Sequence, residues 1–328
     1  MDGGRLYGEG MFGTAFDAKC KIRDSKTLCR ILKSKPISSI RLFSFAKSIE
    51  VDPIEFIKYV SRLDCCIAKM FKGYMIGIDE KHFHDELKSM ELVYEIFGKK
   101  TSDMTTLTML SFDNFSFSGM RIHFENGKKL YLIFSTRCDS DLSHKTLRSL
   151  DVLEKDILVT LFKMQEQNFA HYDIKLDNII YCSNVKKFKL IDWGLAQKIT
   201  PKTFQFANPM CNTPLTYYIT GAPAFASIRI FYYSNWNKNR DWWNSAMFQE
   251  ELYPLIAKEF REAIQSPKAK LLELYGKKLD IFALGICLAQ LVHANKLNWK
   301  KYRPFVLDLI SMNGSLNAKD ALKFYNAH

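Results

Sequence analysis

A polar eight-residue segment between a predicted helix and two short predicted strands constrains the fold of this chain more than any other feature. Residues 171–178 place Asp173, Lys175 and Asn178 two and three residues apart. The preceding residues, 150–169, repeat apolar side chains at helical spacing, and two short β-rich runs follow the segment. A carboxylate, a cation and an amide are therefore expected together on one loop between a long helix and a strand.

A second carboxylate, Asp192, lies nineteen residues after Asp173. It follows the second β-rich run, residues 188–191, and precedes Gly194 by two positions. Either piece could arise by chance, but both pieces at this spacing are improbable in an unrelated sequence. The pattern predicts that two acidic groups and an amide converge on one site.

This set of side chains suits phosphoryl transfer. That reaction needs a backbone cradle for phosphates, a cation on them, metal ligands, and a carboxylate that receives the hydroxyl proton. Residues 8–13 supply a GxGxxG turn between predicted strands over residues 5–6 and 14–19, where absent side chains let backbone N–H groups approach phosphate. On its own, a structural hairpin explains this turn equally well.

Together these segments resemble the eukaryotic-type protein kinases, and the resemblance covers nearly the whole chain. It implies that Asp173 is the catalytic base, that Lys175 contacts the γ-phosphate of ATP, and that Asn178 and Asp192 hold Mg²⁺ or Mn²⁺. It also implies a protein substrate with a Ser or Thr acceptor, because tyrosine kinases usually lack a Lys at the place of Lys175. The residues expected to contact ATP in the glycine-rich loop and near the hinge are Leu6, Gly8, Glu9, Gly10, Met11, Phe12, Gly13, Thr14, Phe134, Ser135 and Arg137.

Two lysines compete for the position that pairs with the ATP phosphates. Lys33 lies twenty residues after Gly13, which is the family's usual spacing, whereas Lys69 lies fifty-six residues after it. The helical pattern over residues 80–97 resembles the family helix whose glutamate pairs with this lysine, and Glu86 follows Lys69 by seventeen residues. We therefore expect Lys69 to pair with Glu86, with Lys33 as the alternative.

The order of strands before helices indicates an α+β chain, and the resemblance implies one kinase domain with two unequal lobes. The β-rich N-lobe is expected over residues 1–134, with an insertion over residues 21–62. Residues 135–138 are the expected hinge. The α-helical C-lobe is expected over residues 139–328, with a second insertion at about 236–275.

After the second carboxylate motif the resemblance weakens. Residues 221–228 resemble the end of the activation segment in casein-kinase-I-like enzymes, and residues 212–217 are a rival for that position. The buried central helix of the C-lobe is expected at Asp280, with Asp241 as the alternative. Tyr172 stands where most protein kinases have the Arg that pairs with an activation-segment phosphate, so we expect activity without that phosphorylation.

The net charge of +12 is concentrated in residues 14–62, which hold eleven Lys or Arg and five Asp or Glu. Such a segment attracts acidic protein or nucleic acid, although a solvated surface on an insertion is the simpler interpretation.

Eight Cys without a CxxC pair or regular spacing suggest neither a zinc site nor a disulfide framework, which favours a reducing, cytoplasmic location. The longest apolar run, residues 281–292, is too short to span a membrane. The two insertions further resemble those of kinases encoded by large DNA viruses, which would act in the host cytoplasm or the virion.

Two other functions remain open at this point. Small-molecule kinases similar to aminoglycoside or choline kinases share the HxDxxxxN motif and often carry Asp-Trp where Asp192 and Trp193 stand. Lys175, Gly194 and residues 223–228 argue for a protein kinase instead. A pseudokinase interaction module would keep the fold without turnover, yet candidates for every catalytic role are present.

Overall fold

The computed structural model divides the chain into two compact units, residues 1–140 and 141–328. It describes residues 6–10, 13–17, 32, 35–44, 47–60, 66–71, 78–98, 101–136, 138, 147–199, 244–255, 268–311 and 314–327. Helices and strands are mixed, which is compatible with the predicted α+β class.

The first unit is organised by a seven-stranded antiparallel sheet with the order β1-β2-β5-β9-β8-β3-β4. Its strands are β1 (Leu6–Gly10), β2 (Gly13–Asp17), β3 (Ile37–Ser44), β4 (Lys47–Val51), β5 (Cys66–Phe71), β8 (Gly119–Phe124) and β9 (Lys129–Thr136). A separate hairpin joins β6 (Leu110–Phe112) to β7 (Phe115–Phe117). Three helices accompany the strands: α1 (Pro53–Val60), α2 (Ile78–Phe97) and the single turn α3 (Thr101–Met104).

The predicted insertion over residues 21–62 contributes two strands and a helix to this unit. Although β2 pairs directly with β5, strand β3 pairs with β8 and extends the sheet beyond it. Ile40 lies opposite Ile122 and Leu42 lies opposite Met120, and all four side chains are buried. The charged side chains of residues 37–60 are exposed, as on a solvated surface, whereas alternate side chains of β3 are apolar and enter the core.

Some charged and polar side chains of residues 37–60 interact with one another. Arg41 points away from the core and forms an ion pair of 3.2 Å with Glu50 on the neighbouring strand. Asp52 caps α1 by accepting a hydrogen bond of 2.9 Å from the backbone N–H of Glu55. On the inner side, Phe56 and Val60 of α1 are fully buried in the same core as β3 and β8.

Helix α2 follows the predicted pattern closely. Phe83, Leu87, Met90, Val93 and Phe97 are all buried, as the helical spacing predicts. The helix packs closely where β8 begins, since a Cβ built on the glycine at position 119 would lie 2.9 Å from Leu87 Cδ2. A residue without a side chain is therefore needed at position 119, because the helix approaches the strand closely there.

The second unit is mainly helical. Its helices are α4 (Asp151–Glu166), α5 (Lys268–Ala294), α6 (Trp299–Ile310) and α7 (Ala318–Ala327), with a short π-helix over Met247–Leu252. Two small two-stranded sheets lie between α4 and the π-helix in sequence: β10 (Phe169–Ala170) pairs with β13 (Gln197–Lys198), and β11 (Ile179–Cys182) pairs with β12 (Lys187–Leu190).

Helices α4 and α5 differ from their predicted bounds. Helix α4 ends at Glu166 rather than at residue 169, because Asn168 adopts a left-handed φ of 50° and the next two residues form β10. Helix α5 begins at Lys268, well before the apolar run over residues 281–292 that indicated it in the sequence. No helix in the described part of the chain is both long enough and apolar enough to cross a membrane.

The cysteines depart from the expectation drawn from their spacing. Cys138 and Cys182 are each disulfide-bonded, which the sequence did not predict. Cys287, on α5, is free and buried. The cysteines therefore give no support to the predicted reducing compartment.

Candidate active site

Asp280 holds the start of the loop over residues 171–178 by hydrogen bonds to its backbone. This carboxylate, on α5, accepts the backbone N–H of His171 at 2.7 Å and that of Tyr172 at 2.9 Å. Asp280 is only 2% exposed, and burial raises its pKa against the opposing effect of His171 and the two backbone donors. The structure thus brings Asp280 to the loop, while the alternative, Asp241, lies outside the described residues.

One of the two residues that donate a backbone hydrogen bond to Asp280 has an unusual backbone conformation. Tyr172 has a φ of 63°, in the left-handed region that a bulky side chain rarely adopts. Such conformations cost free energy and persist where surrounding contacts enforce them, often at functional sites. Here the two hydrogen bonds to Asp280 supply the contacts.

His171 joins this loop to the strand end that carries Asp192. Its Nδ1 accepts the backbone N–H of Asp173 at 3.3 Å, so its Nε2 must carry the hydrogen that bonds to the carbonyl of Ile191 at 3.0 Å. His171 is fully buried, and burial lowers its pKa, which favours the neutral ring that these two bonds require. The structure supports the predicted structural role of this histidine.

Asp173, Lys175 and Asn178 converge as the sequence predicts. One oxygen of Asp173, Oδ2, accepts hydrogen bonds from Lys175 Nζ and from Asn178 Nδ2, each at 2.7 Å. Asn178 Nδ2 also donates to the Asp173 carbonyl at 2.8 Å. The other oxygen, Oδ1, accepts no hydrogen bond from the residues that the structure describes, and 15% of the side chain is exposed.

The charges in this cluster act on one another. Burial raises the pKa of Asp173, and the nearby charge of Asp192 raises it further against the effect of Lys175 and Asn178. Burial lowers the pKa of Lys175, but attraction to Asp173 and Asp192 outweighs burial, so the net shift is upward. We conclude that Lys175 stays protonated beside Asp173.

Asp192 lies beside the loop at the end of β12. It has a φ of 62° and begins a 3₁₀ turn over Trp193–Leu195. The strand ends are held together by a hydrogen bond of 3.0 Å from the backbone N–H of Ile191 to the carbonyl of Asn178. The two carboxylates nineteen residues apart are therefore neighbours in space, as their electrostatic coupling also indicates.

The donor set fits a hard divalent cation. Because the amide nitrogen of Asn178 points to Asp173, its amide oxygen is directed away from that residue. An amide oxygen and the Asp192 carboxylate are ligands that Mg²⁺ accepts, and Mg²⁺ usually takes only one or two protein carboxylates alongside substrate phosphates and water. The described residues contain no group of three His, Cys, Asp or Glu side chains able to hold a metal by themselves.

In the first unit, Lys69 and Glu86 form the predicted ion pair. Lys69 Nζ on β5 lies 2.8 Å from Glu86 Oε2 on α2. Only 7% of the Glu86 side chain and 20% of the Lys69 side chain are exposed, so solvent screens the pair weakly. The competing Lys33 lies outside the described residues.

The predicted glycine-rich turn is a tight hairpin. Gly10 of β1 pairs with Gly13 of β2, and Gly8 and Glu9 pair with Ala15 and Thr14. The turn is therefore shorter than residues 8–13, because the first two glycines belong to a strand. Met11 and Phe12 lie outside the described residues.

The strand before the predicted hinge is longer than expected. Phe134 is fully buried against Phe117, with ring centroids 5.7 Å apart, as a core aromatic would be. Strand β9 continues through Ser135 to Thr136, which pairs with Cys66, so the strand does not end at Phe134. Arg137 and the predicted activation segment from residue 200 onward lie outside the described residues.

One residue of the site was underestimated from sequence. Trp193 is 1% exposed, and its ring centroid lies 4.6 Å from that of His171. The sequence marked this residue only as part of the Asp-Trp pair that small-molecule kinases often carry. The only indication in the sequence that Trp193 packs against the site was its position directly after Asp192.

Comparison with known proteins gives a distant relative but no matching family model. No protein-family model matches the chain. A probable casein kinase I homolog of Encephalitozoon cuniculi is 26% identical over 156 residues, which are 47% of this chain and 48% of that protein. The chain therefore spans about half the length of this relative. The similarity supports a distant protein kinase-like relationship and phosphotransfer in general.

Proposed function

We propose that the chain is a serine/threonine protein kinase that transfers the γ-phosphoryl group of ATP to a protein hydroxyl. The observation that carries the proposal is the arrangement around Asp173. One oxygen of this carboxylate is held by a cation and an amide, the other is left for a substrate, and a second carboxylate lies alongside. Such an arrangement can orient a hydroxyl for in-line attack on a phosphoryl group.

In this mechanism Asp173 Oδ1 accepts the hydrogen of the substrate hydroxyl. Lys175 and Asn178 keep the carboxylate in one orientation, and Lys175 offsets negative charge as the phosphoryl group moves. Asn178 and Asp192 would hold Mg²⁺, which neutralises charge on the phosphate oxygens when it is bound. Lys69, positioned by Glu86, would contact the other ATP phosphates, together with the hairpin over residues 6–14.

The choice of a protein hydroxyl rests on three further observations. Lys175 occupies the place that resembles Ser/Thr kinases. Residues 221–228 resemble the activation-segment end of casein-kinase-I-like enzymes, and the relative found by comparison carries the name of a casein kinase I homolog. Separately, the basic residues 14–62 favour an acidic protein or nucleic-acid partner.

The decisive experiment measures transfer of radiolabelled phosphate from ATP to casein, histone and myelin basic protein. We expect the wild type to label at least one of them, and Asp173→Asn to label it at least 10²-fold more slowly while still binding ATP. Glu166→Gln is the matched control, because it makes the same carboxylate-to-amide change at an exposed position on α4. Lys69→Met should also lose activity, whereas Lys33→Met should not.

The same assay separates the alternatives. Equal labelling by the wild type and Asp173→Asn would show that the catalytic assignment is wrong. Labelling of an aminoglycoside or choline, with no labelling of protein, would indicate the small-molecule kinase that Asp192 followed by Trp193 suggests. Binding of ATP without any transfer would indicate a pseudokinase.

A further inference from the structure

Glu154 is a buried carboxyl group that the proposed reaction does not use. It lies in the first turn of α4 and is 3% exposed. Its Oε1 is fully buried and has no hydrogen-bond partner among the described residues. An ionised carboxylate without such partners is strongly destabilising in a protein interior, so the neutral acid is favoured at this position.

The charged and titratable groups around Glu154 do not compensate for its burial. Asp151 lies one turn earlier on α4, Lys301 and Tyr302 lie on α6, and Tyr325 lies on α7. The cation among them, Lys301, is bound to both oxygens of Asp151 at 3.0 and 3.2 Å. Helix α5 and strands β10 and β12 also pack on α4, and none of their described titratable groups acts on Glu154. Burial, aided by the charge of Asp151, raises the pKa of Glu154 to about 7.

Helix α7 is attached to α4 on both sides of Glu154. At one end, Gln165 Oε1 accepts the backbone N–H of Ala318 at 2.7 Å. At the other end, the hydroxyl of Tyr325 donates to the carbonyl of Asp151 at 2.9 Å. Between these two hydrogen bonds the helices pack against each other, and Tyr325 lies close enough for Glu154 to raise its pKa in addition to burial.

We propose that Glu154 is a pH-dependent latch for helix α7. The neutral carboxyl group is compatible with α7 packed on α4, and ionisation of Glu154 favours release of α7, because release gives the carboxylate access to water. The hydrogen bonds at Ala318 and Tyr325 break in the released form, and α4 itself remains folded.

The direction of the pH effect follows from proton linkage. In the released form Glu154 is exposed and titrates near its ordinary pKa of 4.5, whereas in the packed form it titrates near 7. The packed form therefore binds more protons between these two values, and rising pH shifts the equilibrium toward release by up to about tenfold per pH unit. Above pH 7 both forms are ionised and the effect levels off.

Hydrogen exchange of residues 318–327, followed by mass spectrometry at pH 5, 6, 7 and 8, tests the latch. Each rate is divided by that of a synthetic peptide of the same sequence, which removes the intrinsic pH dependence of exchange. We expect the corrected opening of α7 to rise roughly 40-fold between pH 5 and 7 in the wild type. Glu154→Gln, which is neutral at every pH, should show no such rise.

Glu166→Gln is the control, because Glu166 is exposed on the same helix and should leave the wild-type profile unchanged. A profile for Glu154→Gln that coincides with the wild type would overturn the proposal, as would a flattened profile for Glu166→Gln. If Glu154→Gln does not fold, a flat corrected profile in the wild type gives the same negative answer. The measurement needs no substrate, so it is independent of the proposed kinase activity.

Discussion

Replacement of Asp280 by Asn should destabilise the second unit and release the loop that carries Asp173. In the wild type, the two oxygens of Asp280 each accept a backbone N–H, at 2.7 and 2.9 Å, in a site that is almost completely buried. An Asn side chain offers one oxygen and one NH₂ group, so one backbone N–H would face another donor. A hydrogen bond to a charged acceptor contributes about 1.5–3 kcal/mol, and a buried group left without a partner costs a similar amount.

We therefore expect the free energy of unfolding to fall by about 3 kcal/mol, or roughly 150-fold in the unfolding equilibrium. Urea unfolding of the whole chain, together with hydrogen exchange in residues 169–182, measures both the global and the local effect. Asp320→Asn is the control, because Asp320 lies at the surface of α7 and pairs with Lys323. Unchanged unfolding and unchanged exchange in Asp280→Asn would refute the view that Asp280 holds the left-handed backbone of Tyr172.

Three further outcomes are expected. Glu86→Gln removes the partner charge of Lys69 and should raise the KM for ATP more than it lowers kcat, which steady-state kinetics at varied ATP would measure; an unchanged KM contradicts the assignment of this pair. Gly285→Ala should lower stability by about 1–3 kcal/mol in a urea titration, because the added Cβ would lie 2.9 Å from Ile310 Cγ1; wild-type stability would mean that α5 and α6 can separate at no cost. Because Tyr172 cannot pair with a phosphate as Arg does, protein treated with phosphatase should retain its activity, and a strict need for prior phosphorylation would contradict this.

Much of the candidate site could be predicted because its signals are local in sequence. Asp173, Lys175 and Asn178 lie in one loop, so their convergence follows from spacing alone. The helical pattern over residues 80–97 resembles the kinase family helix whose glutamate pairs with the ATP-contacting lysine. That resemblance selected Lys69 as the partner of Glu86, and the structure contains this ion pair.

The parts that were missed depend on contacts between distant segments. Strand β3 could not be recognised as a sheet strand, because its partner β8 lies about eighty residues later and residues 21–62 mix apolar with basic side chains. The end of α4 depended on the left-handed backbone of Asn168, which apolar periodicity does not report. The extension of β9 to Thr136 likewise depended on pairing with Cys66 across the sheet.

The pairing of β3 with β8 limits how this protein can be shortened. Deleting residues 37–60 to obtain a minimal catalytic fragment would leave β8 paired with β9 alone and would remove Leu42 and Ile40, which lie opposite Met120 and Ile122. The bared strand would be a template for edge-to-edge aggregation. Shortened forms of the protein for crystallography should therefore retain this segment, and substitutions at its buried positions are best judged as changes in a protein interior.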